Sequence, residues 1–110
     1  MIEALWSIDF ESEDGVQGGG IVAFRNGKLV GGDRCYVYTG SYSVDDATVT
    51  LTIDAEHYDG PPYPIFGAAG SPRIAAKGPI GERSIELAGE RRDERGKTLT
   101  IRLVRRADLP

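Results

Sequence analysis

From Thr48 to Glu56 the chain reads Thr-Val-Thr-Leu-Thr-Ile-Asp-Ala-Glu, with an apolar residue at every second position. Side chains along a strand point alternately to its two faces, so this run has one face to bury and one that suits water. Wound as a helix, the same residues would scatter their apolar groups around the axis. Val49, Leu51, Ile53 and Ala55 therefore mark a core-facing strand edge to edge with others like it. Ala4, Trp6, Ile8 and Phe10 repeat the pattern, with Ser7, Asp9 and Glu11 on the opposite face. It returns through Ile85, Leu87 and Gly89, and again through Leu99, Ile101 and Leu103. No segment keeps a helical period for more than two turns, so the chain is all-β.

Turn chemistry divides these runs. Asn26-Gly27 is the strongest short hairpin signal, because both residues accept the positive φ that a two-residue turn demands. That turn sets Arg25 opposite Lys28, Phe24 opposite Leu29, Val22 opposite Gly31 and Gly20 opposite Asp33. Phe24, Leu29 and Val22 then look inward, while Arg25 and Lys28 face solvent. Ser12-Glu13-Asp14-Gly15, Asp45-Asp46 and Asp93-Glu94-Arg95-Gly96 supply further turns. Cys35–Tyr42 reads as a strand bent at Gly40, and Arg73–Gly78 as a short one. Between His57 and Gly70, prolines 61, 62 and 64 exclude a central strand and predict a long connection or one helical turn. Residues 105–110 read as a frayed tail. The result is eight strands with short links, which predicts an antiparallel up-and-down eight-stranded barrel; an open two-sheet sandwich is the alternative.

At 110 residues the chain has room for one domain. One cysteine, Cys35, rules out an internal disulfide and reads as a small buried hydrophobe. Met1-Ile2-Glu3-Ala4-Leu5-Trp6 runs straight into patterned sequence without a basic or long apolar stretch, so a bacterial-type cytoplasm is the expected address. No apolar run approaches the ~20 residues of a membrane span. A net charge of −4 argues against direct nucleic-acid binding. Residues 1–59 carry 11 acids and 3 bases, while residues 60–110 carry 6 acids and 10 bases. Such asymmetry suits pairing with a protein partner unless barrel closure interleaves the two halves.

Trp6, Phe10 and Phe24, with Asp33, are candidates to line a cavity for one apolar small ligand; the competing reading is a packed aromatic core. Asp33 draws notice because the hairpin register turns it inward, where a tyrosine hydroxyl or an arginine must satisfy it. His57, the one histidine, has no cluster of histidines or cysteines to make a zinc site. There is no nucleophile elbow, phosphate loop or dinucleotide fingerprint, and Gly18-Gly19-Gly20 enters a strand rather than a helix. No catalytic residue, metal or cofactor is expected. Tyr58–Phe66 reads as a lid or a dimer contact.

The ordered set Trp6-Ser7-Ile8, Gly20-Ile21-Val22, Asn26-Gly27-Lys28-Leu29-Val30-Gly31-Gly32-Asp33 and Tyr38-Thr39-Gly40-Ser41-Tyr42-Ser43 resembles the GrlR family of bacterial regulatory proteins, over roughly residues 4–56. The resemblance implies a lipocalin-like barrel, a homodimer, and negative regulation by binding a transcriptional activator rather than DNA. It also implies a partner contact in the loop after the Tyr-x-Gly strand, through a run of four acids. The matching positions here are Val44, Asp45, Asp46 and Ala47, so Asp45 and Asp46 alone keep the charge. The expected function is that of a non-enzymatic regulatory or adaptor protein, with a carrier or sensor of one apolar ligand as the alternative.

Overall fold

In the computed structural model, which describes residues 2–13, 15–67, 72–93 and 96–110, the alternating runs become strands. Of the positions named above, Met1, Asp14, Gly70, Glu94 and Arg95 lie outside the described residues. The strands are β1 (Ala4–Ser12), β2 (Gly15–Arg25), β3 (Lys28–Gly32), β4 (Tyr36–Asp45), β5 (Thr48–His57), β6 (Arg73–Pro79), β7 (Ser84–Arg91) and β8 (Thr98–Ala107). Each pairs antiparallel with the next, and β8 returns to β1, so the sheet is a closed up-and-down barrel. One turn of 3-10 helix, Pro64–Phe66, sits in the β5–β6 connection, where the prolines end the strand.

Period two sets the interior. Ala4, Trp6, Ile8 and Phe10 of β1 and Val49, Leu51, Ile53 and Ala55 of β5 are all at most 1% exposed. Leu87, Ile101 and Leu103 of β7 and β8 are fully buried beside them. The β2–β3 register follows the hairpin rule, with Arg25 opposite Lys28 and Phe24 opposite Leu29. Asn26 and Gly27 have φ of 53° and 78°, the pair of positive values this turn requires. At Gly40 a Cβ would press into the carbonyl oxygen of Thr52, so β4 and β5 approach more closely there than any side chain allows.

The structure departs from the sequence reading at several strand boundaries, among them the end of β4, which runs to Asp45 rather than Tyr42. Strand β2 begins at Gly15 rather than Gly18, and its register against β1 shifts between Ile8 and Asp9. Such a bulge absorbs one residue, here Gly19, and needs the unusual φ of 108° and 109° that Gly18 and Gly19 supply. Strand β3 stops at Gly32, so Asp33 turns the chain instead of pairing with Gly20, and β4 begins at Tyr36 rather than Cys35. Residues 105–107 are strand rather than tail: Arg105 pairs with Trp6, Ala107 with Leu5, and the Arg105 amide donates to the Arg83 carbonyl at 2.8 Å. The cause is closure, which gives the start of β1 a partner that only the end of β8 can reach.

Candidate functional site

Up-and-down topology sorts the connections onto two ends. The β1–β2, β3–β4, β5–β6 and β7–β8 links share one end; the β2–β3, β4–β5 and β6–β7 turns share the other with both termini.

The first end is plugged. Asp33 Oδ1 accepts the amides of Cys35 and Tyr36, both at 2.8 Å, and Oδ2 accepts the Tyr38 hydroxyl. Its carbonyl accepts the hydroxyl of Tyr58 at 2.6 Å. The carboxylate is thus satisfied by a tyrosine, as the sequence required, together with two amides of its own turn. Burial, then the bond to Asp33, pushes the Tyr38 hydroxyl far above the usual tyrosine range. Phe66 comes down from the long connection onto Phe10, Tyr36 and Tyr38, with ring centroids 4.9, 4.8 and 6.4 Å away. The Tyr63 and Ile65 amides donate to Tyr36 Oη and Gln17 Oε1, both at 2.9 Å, which pins the connection across the barrel mouth. His57 packs on Tyr36 with the rings tilted and their centroids 5.2 Å apart, and places Nε2 2.7 Å from the Gly60 carbonyl. Among the described residues no three His, Cys, Asp or Glu side chains gather as a metal site.

On the rim of this end, Arg91 is buried, and its guanidinium grips Asp93 through Nε at 3.1 Å and Nη2 at 2.7 Å. That contact holds the Asp93 carboxyl below the ordinary carboxylate range. A polar cleft of about 420 Å³ lies between Arg91, Lys97 and Ile65.

The second end is open and apolar. Ile2, Val44, Ile80, Gly81 and Glu82 line a cleft of about 480 Å³. Val44 belongs to the inward-facing set of β4, yet it is 47% exposed because β3 begins at Lys28, opposite Ser41, and leaves the β4–β5 tip projecting. The Ile80 amide donates to the Ala47 carbonyl at 2.7 Å and ties the β6–β7 connection to that tip. Behind Ile2 the packing is aromatic: Trp6 Nε1 donates to the Ile2 carbonyl at 2.8 Å, Trp6 packs on Phe24 at 6.2 Å, and Phe24 packs on Tyr42 at 4.9 Å. Asp45 and Asp46 are exposed at the tip, with Asp46 in the left-handed region at φ 56°.

The candidate residues therefore separate. Asp45 and Asp46 follow the cleft-lining Val44 at the open end, the end at which Trp6 bonds the Ile2 carbonyl and Phe24 packs on Tyr42. Phe10 and Asp33 belong to the plugged end, joined through Tyr38, whose ring lies 5.3 Å from Phe10. Trp6, Phe10 and Phe24 are at most 1% exposed, and the linings of the two end clefts are made by other residues. Ile2, Ile80 and Glu82 were invisible as site residues, because only closure brings them beside Val44. The buried Arg91 had a sequence signal, an arginine at an inward position of an alternating strand. Compared with known proteins, the chain matches no protein family and no curated protein.

Proposed function

We propose that this barrel is a non-enzymatic adaptor that holds a protein partner at its open end. The observation that carries the reading is the open cleft: Ile2, Val44 and Ile80 form an apolar centre, Glu82 lines it, and Asp45 and Asp46 follow Val44, exposed at the β4–β5 tip. Apolar burial supplies affinity at such a surface, and the acids select a partner with lysine or arginine beside its apolar anchors. This is the chemistry that the resemblance to GrlR-type regulators implies for an activator held through acidic residues. A cytoplasmic, homodimeric, lipocalin-like regulator that does not touch DNA belongs to the same reading.

A fluorescence-anisotropy titration with a labelled amphipathic peptide of leucine and lysine tests it. The wild-type protein binds this peptide, and Asp45→Lys with Asp46→Lys weakens binding at least tenfold while the thermal midpoint stays within a degree or two. Binding that survives the reversal would overturn the reading. One observation favours a second function: an apolar cleft of about 480 Å³ is the size of a small-molecule site. A carrier would hold a fatty-acid-like molecule there and shift the emission of Trp6, which bonds the Ile2 carbonyl. Native mass spectrometry of gently purified protein separates the two, since a carrier retains a stoichiometric adduct that leaves on denaturation.

A further inference from the structure

The barrel wall on β2, β3 and β4 carries a second apolar surface, with charge of the opposite sign. Register places Ile21, Gly32 and Val37 in one row across the three strands, with Val30 two residues along β3. Ile21 is 45%, Val30 58% and Val37 39% exposed, although each stands at a position that a solvated wall fills with polar residues. Gly32 places no side chain between Ile21 and Val37, whose strands lie about 10 Å apart. A Cβ at Gly32 would meet the Tyr36 carbonyl oxygen at 2.7 Å, so no side chain can interrupt the strip there without moving backbone.

Bases lie at both ends of this strip. Arg25 and Lys28 face each other across the hairpin at one end, and Arg34 follows Gly32 and Asp33 at the other. They are all the bases that residues 1–59 contain, and all are exposed. Among the described residues none of them pairs with an aspartate or a glutamate; Arg25 reaches a main-chain oxygen of Pro110 at 3.3 Å. Elsewhere on the wall Arg73 pairs with Asp54, and Arg102 with Glu11 and Glu86. Glu56, opposite Val37 on β5, bounds the strip on its far side.

We infer that this wall is a docking surface for an acidic, apolar-cored segment of another protein, one that lays aliphatic side chains on Ile21, Val30 and Val37 and sets carboxylates against Arg25, Lys28 and Arg34. Charge complementarity selects this occupant. Two copies packed by the same face set bases near bases whichever end is turned, so a symmetric pair is disfavoured. A nucleic acid offers nothing to cover Ile21, Val30 and Val37. With the open end taking a basic segment, as proposed above, the barrel becomes a bridge between two partners of opposite charge. The bridging role rests on that reading, but the wall surface stands without it.

The probe is a labelled amphipathic peptide of leucine and glutamate, titrated by anisotropy at low and high salt. The wild-type protein binds it, and salt weakens the binding. Arg25→Glu with Lys28→Glu, or Val30→Glu alone, reduces affinity at least tenfold, while Asp45→Lys with Asp46→Lys leaves it unchanged or tighter. All these positions are exposed, and far-UV circular dichroism verifies that each variant is folded. Several results would overturn the inference: no binding of the peptide, equal binding by the wall variants, or loss only in the Asp45/Asp46 variant. So would wall-dependent binding of phosphatidylserine vesicles but not of peptide, or wall-dependent self-association of the unmixed protein in sedimentation velocity. Because the leucine–lysine and leucine–glutamate peptides report on different variants, failure at the open end and failure at the wall are read separately.

Discussion

Asp33 and Arg91 are charged side chains held against the plugged end of the barrel, and each is stabilised by a different arrangement. Asp33 takes two amides and the Tyr38 hydroxyl, bonds that strengthen when the acceptor is charged. Asp33→Ala leaves those donors facing a gap, so urea titration should find it about 3 kcal/mol less stable. Tyr38→Phe should lose about 1–2 kcal/mol, and the double variant less than the sum, because both changes break the same bond. For Asp93 the effect appears in pH. Arg91 lowers its folded pKa below the unfolded value, so its contribution is present above about pH 4 and is lost as pH falls through the folded pKa. Asp93→Asn removes that dependence. Wild type should exceed the variant in stability at neutral pH, and the two should converge on acidification in a series of urea titrations.

At the scale of elements, β4 is one strand with two jobs. From Val37 to Ser41 it is paired on both sides, with β3 and with β5. Beyond Tyr42, whose amide donates to the Gly27 carbonyl, it is paired with β5 alone and projects as the tip that carries Val44, Asp45 and Asp46. Gly40 lies where the doubly paired part is tightest. Gly40→Ala drives a methyl into the Thr52 carbonyl and should cost about 2 kcal/mol or more, read from the denaturation midpoint. The tip was legible in the sequence through Asp45-Asp46, and the wall strip was half legible as the outward Arg25 and Lys28. That Val44 belongs with Ile2 and Ile80 was not, because no local pattern links residues that three different elements supply.

For the whole molecule, closure is the decisive contact. β1 and β8 stand at opposite ends of the chain, yet they form a ladder from Leu5–Ala107 to Glu11–Thr100. Arg105 lies over the Trp6 ring at 5.9 Å where that ladder shifts register. Ending the chain after Val104 would uncover the start of β1 and leave an open edge. The truncated protein should show a lower thermal midpoint and concentration-dependent aggregation by light scattering. An unchanged midpoint would mean that residues 105–107 contribute nothing.

What the sequence determined by itself was everything set by near neighbours along the chain: the strands, which face of each is buried, and the register of the Asn26-Gly27 hairpin. Those follow from period two and from the φ values a turn requires, both local properties. The tertiary structure alone decided which residues meet at the barrel ends, who satisfies Asp33, why Arg91 is buried, and how far β8 runs. Each of these depends on which strands become neighbours after closure, and partners far apart in sequence leave no trace in the pattern of either one.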